Sequence, residues 1–183
     1  MCNAAVIEFF IENVRPEEFR DKRGLEVGGK YVNGSVRPLI ERFMQPKEYI
    51  GADIEPGRHV DVVLSAEKLD EYFGSESLDL TILTETLEHV KDWRKVITNM
   101  KDVLKPPGAY ITTRSRGFLY YGYPYDFSYD FWRYKAEDMR RIFADFEIIN
   151  LSADWEAPGV FVKARKPKGY MPIDLSDIAC CDE

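Results

Sequence analysis

The chain has 183 residues and a formal charge of −7, long enough for one domain to bury roughly 70% of its unfolded surface in a single core. That acidic balance supplies no global basic field, which argues against tight, sequence-independent binding of a phosphate backbone. The three cysteines, Cys2, Cys180 and Cys181, have the spacing of neither a disulfide framework nor a metal site. Met1-Cys2-Asn3-Ala4 opens no targeting segment, and no run approaches the roughly 18 apolar residues of a membrane span, so the expectation is a soluble, cytoplasmic protein that makes no use of a membrane.

In chain order, Val6, Ile7, Phe10, Ile11 and Val14 recur at helical spacing within residues 4–20, with Pro16 interrupting. Arg23 to Val27 reads as a first strand, and Gly28, Gly29 and Gly34 follow it. Ser35 then has the chemistry of a helix N-cap before Val36, Leu39, Ile40 and Phe43, with Pro38 tolerated in the first turn. Lys47 to Asp53 is a second strand, stopped by Glu55-Pro56-Gly57; Val60 to Leu64 is a third and Leu78 to Thr84 a fourth. Glu85 to His89 begins a helical turn, and Trp93 to Leu104 is a helix ended by Lys105-Pro106-Pro107-Gly108. Tyr110 to Thr113 is a fifth strand, Lys135 to Phe143 a helix, and Phe146 to Leu151 and Val160 to Ala164 two last strands.

Strands alternating with helices imply an α/β fold, a Rossmann-like doubly wound sheet of about seven strands, mostly parallel. Only Ser152 to Gly159 separates the last two strands, too short for a helical crossover, so they form a C-terminal antiparallel hairpin. Residues 1–165 make a single domain, and 166–183, with Pro167, Gly169 and Pro172, read as a flexible tail.

Glycines at the tip of the first strand and an acid at the tip of the second, 25 positions from Gly28 to Asp53, are how a βαβ unit holds a nucleoside cofactor. The glycines permit close backbone approach, and a carboxylate accepts two ribose hydroxyls. Thr84, at the carboxyl tip of the fourth strand, faces the crevice where such sheets bind ligands.

With those residues in view, the stretch Arg23 to Ala164 resembles the class I S-adenosylmethionine-dependent methyltransferases of the type 11 kind. Glu26-Val27-Gly28 is similar to that family's first motif, Gly51-Ala52-Asp53 to its second, Thr84 to Val90 to the stretch after its fourth strand, and Val103 to Tyr110 to its "VLKPGG" turn. The resemblance implies S-adenosylmethionine as cofactor, with Glu26 near the methionine ammonium, Gly28, Gly29 and Gly34 in the cradle, Asp53 on the ribose and Ile54 on the adenine face. Two departures stand out. The usual loop E-x-G-x-G-x-G is replaced by Gly28-Gly29-Lys30-Tyr31-Val32-Asn33-Gly34, and Ser65-Ala66 occupies the place of an acid on the adenine amino group, for which Glu67 or the Ala66 amide stands in.

Glu85, Glu88 and His89, at i, i+3 and i+4, share one face of a helical turn. Metal-free relatives carry the same "LEHV", so no metal is assigned. His89 is a candidate general base, as is Asp126. From Gly117 to Tyr134, ten of 18 residues are aromatic. This segment follows the fifth strand, where the family builds its acceptor pocket, and Tyr121, Tyr123, Tyr125 and Trp132 are the candidate walls. The acceptor expected is a small molecule methylated on oxygen or nitrogen, with nucleic acid disfavoured by the acidity. The alternatives are a catalytically silent S-adenosylmethionine-binding module acting through a partner and a nicotinamide-dependent oxidoreductase.

Overall fold

The computed structural model describes residues 4–32, 34–115, 131–155 and 159–179. Helix α1 (Ala4–Asn13) and the single turn α2 (Pro16–Phe19) precede strand β1 (Arg23–Val27), helix α3 (Arg37–Phe43) and strand β2 (Glu48–Asp53). Strand β3 (Val62–Val63), helix α4 (Leu69–Phe73), strand β4 (Leu78–Thr84), helix α5 (Trp93–Val103) and strand β5 (Leu104–Ser115) follow. Helix α6 (Ala136–Ile142) leads to the strands β6 (Glu147–Ala153) and β7 (Gly159–Arg165).

The strands lie in the order β3-β2-β1-β4-β5-β7-β6. The first five are mutually parallel, and β7 enters antiparallel to β5 and pairs with β6 as the hairpin read from the sequence. Side-chain alternation sends the two faces of β1 and β4 into different cores. Leu25, Val27 and Leu83 join Trp93, Val96, Ile97 and Met100 of α5 and Met139 and Ile142 of α6. Leu80 and Ile82 join Phe9 and Phe10 of α1, Phe19, and Ile40 of α3. Helices on both faces leave the carboxyl ends of β1, β2 and β4 open, and the chain order reverses between β1 and β4, which is where a doubly wound sheet binds ligands.

Local physics accounts for the boundaries that differ from the sequence reading. Pro16 cannot continue α1, and Arg15 before it is extended at φ −116°, so residues 4–20 form two helices. Lys163 Nζ closes the break, donating to the Asn13 carbonyl at 2.7 Å and to the Glu18 carboxylate at 2.6 Å. Ser35 is not the cap of α3. Val36 holds that position, and Ser35 Oγ accepts from the Arg37 amide, two residues on, at 3.0 Å. The third strand shrinks to two residues because Asp61 bends out of line, its carboxylate accepting from the Gly51 amide at 2.8 Å. The prolines after α5 lie in an extended strand instead of a turn, so β5 starts at Leu104 rather than Tyr110.

The segment 166–179 is laid back on the domain, unlike the flexible tail read from its prolines and glycine. Leu175 and Ile178 are buried in the α5–α6 core. Arg94 donates to their two carbonyls at 3.0 and 2.6 Å, and Lys166 Nζ donates to the carbonyls of Lys101, in the last turn of α5, and of Leu104, where β5 begins, at 2.9 and 2.6 Å. No described helix is long and apolar enough to cross a membrane.

Candidate functional site

A cleft of about 670 Å³ opens at the carboxyl ends of β1, β2 and β4. Its lining includes Glu26, Gly28, Gly29, Gly34, Asp53, Ile54, Ala66, Glu67 and Thr84, so the fold gathers into one cavity the whole set that sequence reading marked for a nucleoside cofactor. His89, Val90, Lys91 and Phe131 also line the cleft.

The turn out of β1 is built around Gly28. Its φ of +72° is left-handed, and a Cβ there would overlap Thr86 Oγ1 and stand 2.7 Å from Thr86 Cγ2. Thr86 is pinned in turn, its hydroxyl lying 2.9 Å from the Thr84 carbonyl and 3.3 Å from that of Val27. The amides that follow are all committed within the protein. Gly28 and Gly29 donate to the Ala52 carbonyl at 2.9 and 3.1 Å, Lys30 to Asp53 Oδ2 at 3.1 Å, and Tyr31 to the Arg58 carbonyl at 2.9 Å. The irregular loop is thus stapled to β2 and to the segment after it. What Gly28 and Gly29 supply is closeness of approach, since their N–H groups are already spent on the Ala52 carbonyl.

Side chains tighten the same staple. Lys30 Nζ meets Glu55 at 2.5 Å, its stem lies against Gly57, and Arg58 stacks over the Tyr31 ring at 4.6 Å. Asp53 is held from two sides, Oδ2 by the Lys30 amide and Oδ1 by the Glu55 amide at 3.2 Å. Each carboxylate oxygen has a second lone pair, so two acceptor sites remain for a vicinal diol.

Glu26 is only 2% exposed, and burial pushes its carboxyl up to about 7 despite the opposing influence of a hydrogen bond from Tyr49 at 3.0 Å and of the Arg37 charge. Tyr49, outside the cleft lining but bonded to Glu26, is a neighbour of the site that sequence reading missed. The signal was present in the parity of the strands, because β1 and β2 pair in register, Gly24 with Tyr49 and Glu26 with Gly51, putting all four on one face.

Beyond β4, Glu85 has a left-handed φ of +50° and precedes the short 3₁₀ turn Leu87–His89. The proposed common face of Glu85, Glu88 and His89 is therefore not formed. Glu88 is buried, whereas His89 is exposed, with Nε2 3.6 Å from Glu88 Oε1. Among the described residues no three His, Cys, Asp or Glu side chains are grouped to hold a metal ion.

Of the candidate acceptor walls, Tyr121, Tyr123 and Tyr125 lie outside the described residues, as does Asp126. Trp132 is not in the cleft lining. Its indole donates to the Val90 and Lys91 carbonyls at 2.9 and 3.2 Å, while Phe131, whose amide donates to the Glu88 carbonyl at 2.8 Å, takes the place at the cleft.

Residues 32–112 match the type 11 methyltransferase-domain family, a match that begins within the irregular glycine loop. No curated protein sequence matches the chain. Among solved structures, an S-adenosylmethionine-dependent methyltransferase from Mesorhizobium loti superposes with a TM-score of 0.66 at 12% identity, over 90% of this chain and 99% of that one. The 1,6-didemethyltoxoflavin-N1-methyltransferase of Burkholderia thailandensis, with bound 1,6-didemethyltoxoflavin and S-adenosylhomocysteine, gives 0.63 at 12% over 81% and 72%. A geranyl diphosphate methyltransferase in complex with GPP and sinefungin gives 0.65 at 15% over 89% and 77%. At such identities these structures establish the shared fold.

Proposed function

We propose that this chain, which carries an S-adenosylmethionine-dependent methyltransferase domain, methylates an oxygen or nitrogen of a small-molecule acceptor. The observation that carries the reading is the continuity of one cleft from the nucleoside cradle at Asp53 to a second wall at His89, Val90, Lys91 and Phe131. Its volume suits a small-molecule site. Among the described charged groups lining it, Glu26, Asp53, Glu55, Glu67 and Glu85 outnumber Lys30 and Lys91, which with the net charge of −7 disfavours a nucleic-acid acceptor.

Bound in the cleft, S-adenosylmethionine supplies a methyl carbon on a sulfonium, open to in-line displacement with little covalent help. The chain's part is to hold donor and acceptor in line and to exclude water. Asp53 takes the ribose hydroxyls, Ile54 covers one base face, and Glu67 with the Ala66 amide meets the amino edge. Gly28, Gly29, Gly34 and Thr84 let the ligand lie close to the backbone, and Glu26 faces the methionine ammonium. His89 accepts the acceptor's proton, with the buried Glu88 carboxylate behind it.

The test is transfer of labelled methyl from S-adenosylmethionine by the purified chain in fractionated cell extract. Label is expected in a low-mass fraction, with His89→Gln slowing transfer about 10²-fold. Label confined to protein or RNA would overturn the small-molecule assignment.

A further inference from the structure

We propose that Tyr49 is a positioning residue for the cofactor: its hydroxyl fixes Oε2 of Glu26, leaving Oε1 to receive the methionine ammonium. The inference rests on the cofactor reading above and extends it to a residue outside the cleft lining.

Two glycines make the arrangement possible. Gly24, beside Tyr49 in the β1–β2 register, leaves room for the ring, since a Cβ there would lie 3.1 Å from Tyr49 Cδ2. Gly51, beside Glu26, admits Arg37, whose Nη1 would lie 3.0 Å from a Cβ at that position. The Arg37 guanidinium sits over the Tyr49 ring at 5.7 Å. It is held there by Asp61 at 2.6 Å, Glu41 at 2.7 Å and the His59 carbonyl at 2.9 Å. A chain of contacts therefore runs from Asp61 through Arg37 and Tyr49 to Glu26, a deeply buried carboxylate that the cleft reaches. A phenol in this position has one donor, and it is spent on Glu26.

The charged and titratable groups acting on Glu26 are Tyr49 from β2 and Arg37 and Glu41 from α3. Tyr49 and Arg37 favour the carboxylate, but burial outweighs them, and the group sits near 7. A cationic ligand stabilises the carboxylate, so its arrival expels the proton, and affinity rises with pH until the empty site is itself ionised. Removing the Tyr49 hydroxyl takes away one influence favouring the carboxylate and moves that rise to higher pH.

The experiment is calorimetric titration of the full chain with S-adenosylhomocysteine from pH 5.5 to 8.5, with 5′-methylthioadenosine, which lacks the amino acid portion, as comparator. For the wild type, S-adenosylhomocysteine affinity is expected to climb and then level near pH 7, with flat binding of methylthioadenosine. Tyr49→Phe is expected to weaken S-adenosylhomocysteine about tenfold at pH 7, shift the rise upward and leave methylthioadenosine unchanged. Glu26→Gln, which keeps size but cannot ionise, is expected to abolish the rise. Equal losses for both ligands at every pH in Tyr49→Phe, or a pH-independent wild type, would overturn the positioning role. Failure of the wild type to bind either ligand would instead count against the cofactor reading.

Discussion

Replacing Gly28 by alanine is expected to lower the stability of the chain by about 3 kcal/mol, the sum of a left-handed backbone costing roughly 1–2 and an overpacked contact costing roughly 1–3. The backbone at Gly28 has φ +72°, and the added methyl would have to displace Thr86 from its contacts with the Val27 and Thr84 carbonyls. The same displacement tilts the floor of the cleft, so S-adenosylhomocysteine binding should fall with it. Urea unfolding of Gly28→Ala, Thr86→Ala and the double variant separates the two contributions. The double variant should recover only the part of the steric cost due to Thr86 Oγ1 and Cγ2, because the Cβ that alanine keeps would still lie 2.9 Å from the added methyl, and it should retain the backbone part. An alanine variant as stable as the parent would mean that the turn out of β1 is not the one described.

Asp53→Ala is the second large effect. Loss of an acceptor for two ribose hydroxyls is expected to weaken S-adenosylhomocysteine by roughly 1.5–3 kcal/mol, the scale of hydrogen bonds to a charged group. The loss should be equal for adenosine and methylthioadenosine, because all three carry the same diol. Part of it arises within the protein, since the carboxylate also anchors the Lys30 and Glu55 amides. Asp53→Asn, which retains an acceptor for one of those amides, should lose less. Unchanged affinity in Asp53→Ala would show that the second-strand acid does not face the ligand.

The parts of this structure legible in sequence are those where a local rule and the tertiary outcome agree. The helix at Trp93 repeats apolar residues at helical spacing and carries an Asp92 cap, and it forms within a residue of the expected bounds. The glycine turn and the acid at Asp53 are likewise set by local chemistry, and they meet in one cleft because parallel strands bring their tips together.

What was not legible depends on contacts far apart in sequence. The short α4 follows a 3₁₀ turn capped by Ser65, and its five residues carry too little periodicity to read. The Tyr49 to Glu26 bond spans 23 positions and requires the strand register. The segment from Lys166 reads as flexible from its prolines and glycine, because Leu175 and Ile178 become anchors only once α5 and α6 present a surface. Glu85, Glu88 and His89 do not share a face because Glu85 is left-handed and the turn after it is 3₁₀, so α-helical spacing does not hold there.

The cleft at the carboxyl ends of β1, β2 and β4 is the proposed seat of S-adenosylmethionine. The most direct test of that assignment is side-by-side calorimetric titration of the purified chain with S-adenosylhomocysteine and with NAD. Saturable one-to-one binding of S-adenosylhomocysteine is expected, with no heat from NAD. Binding of NAD alone, or of neither nucleoside, would contradict it.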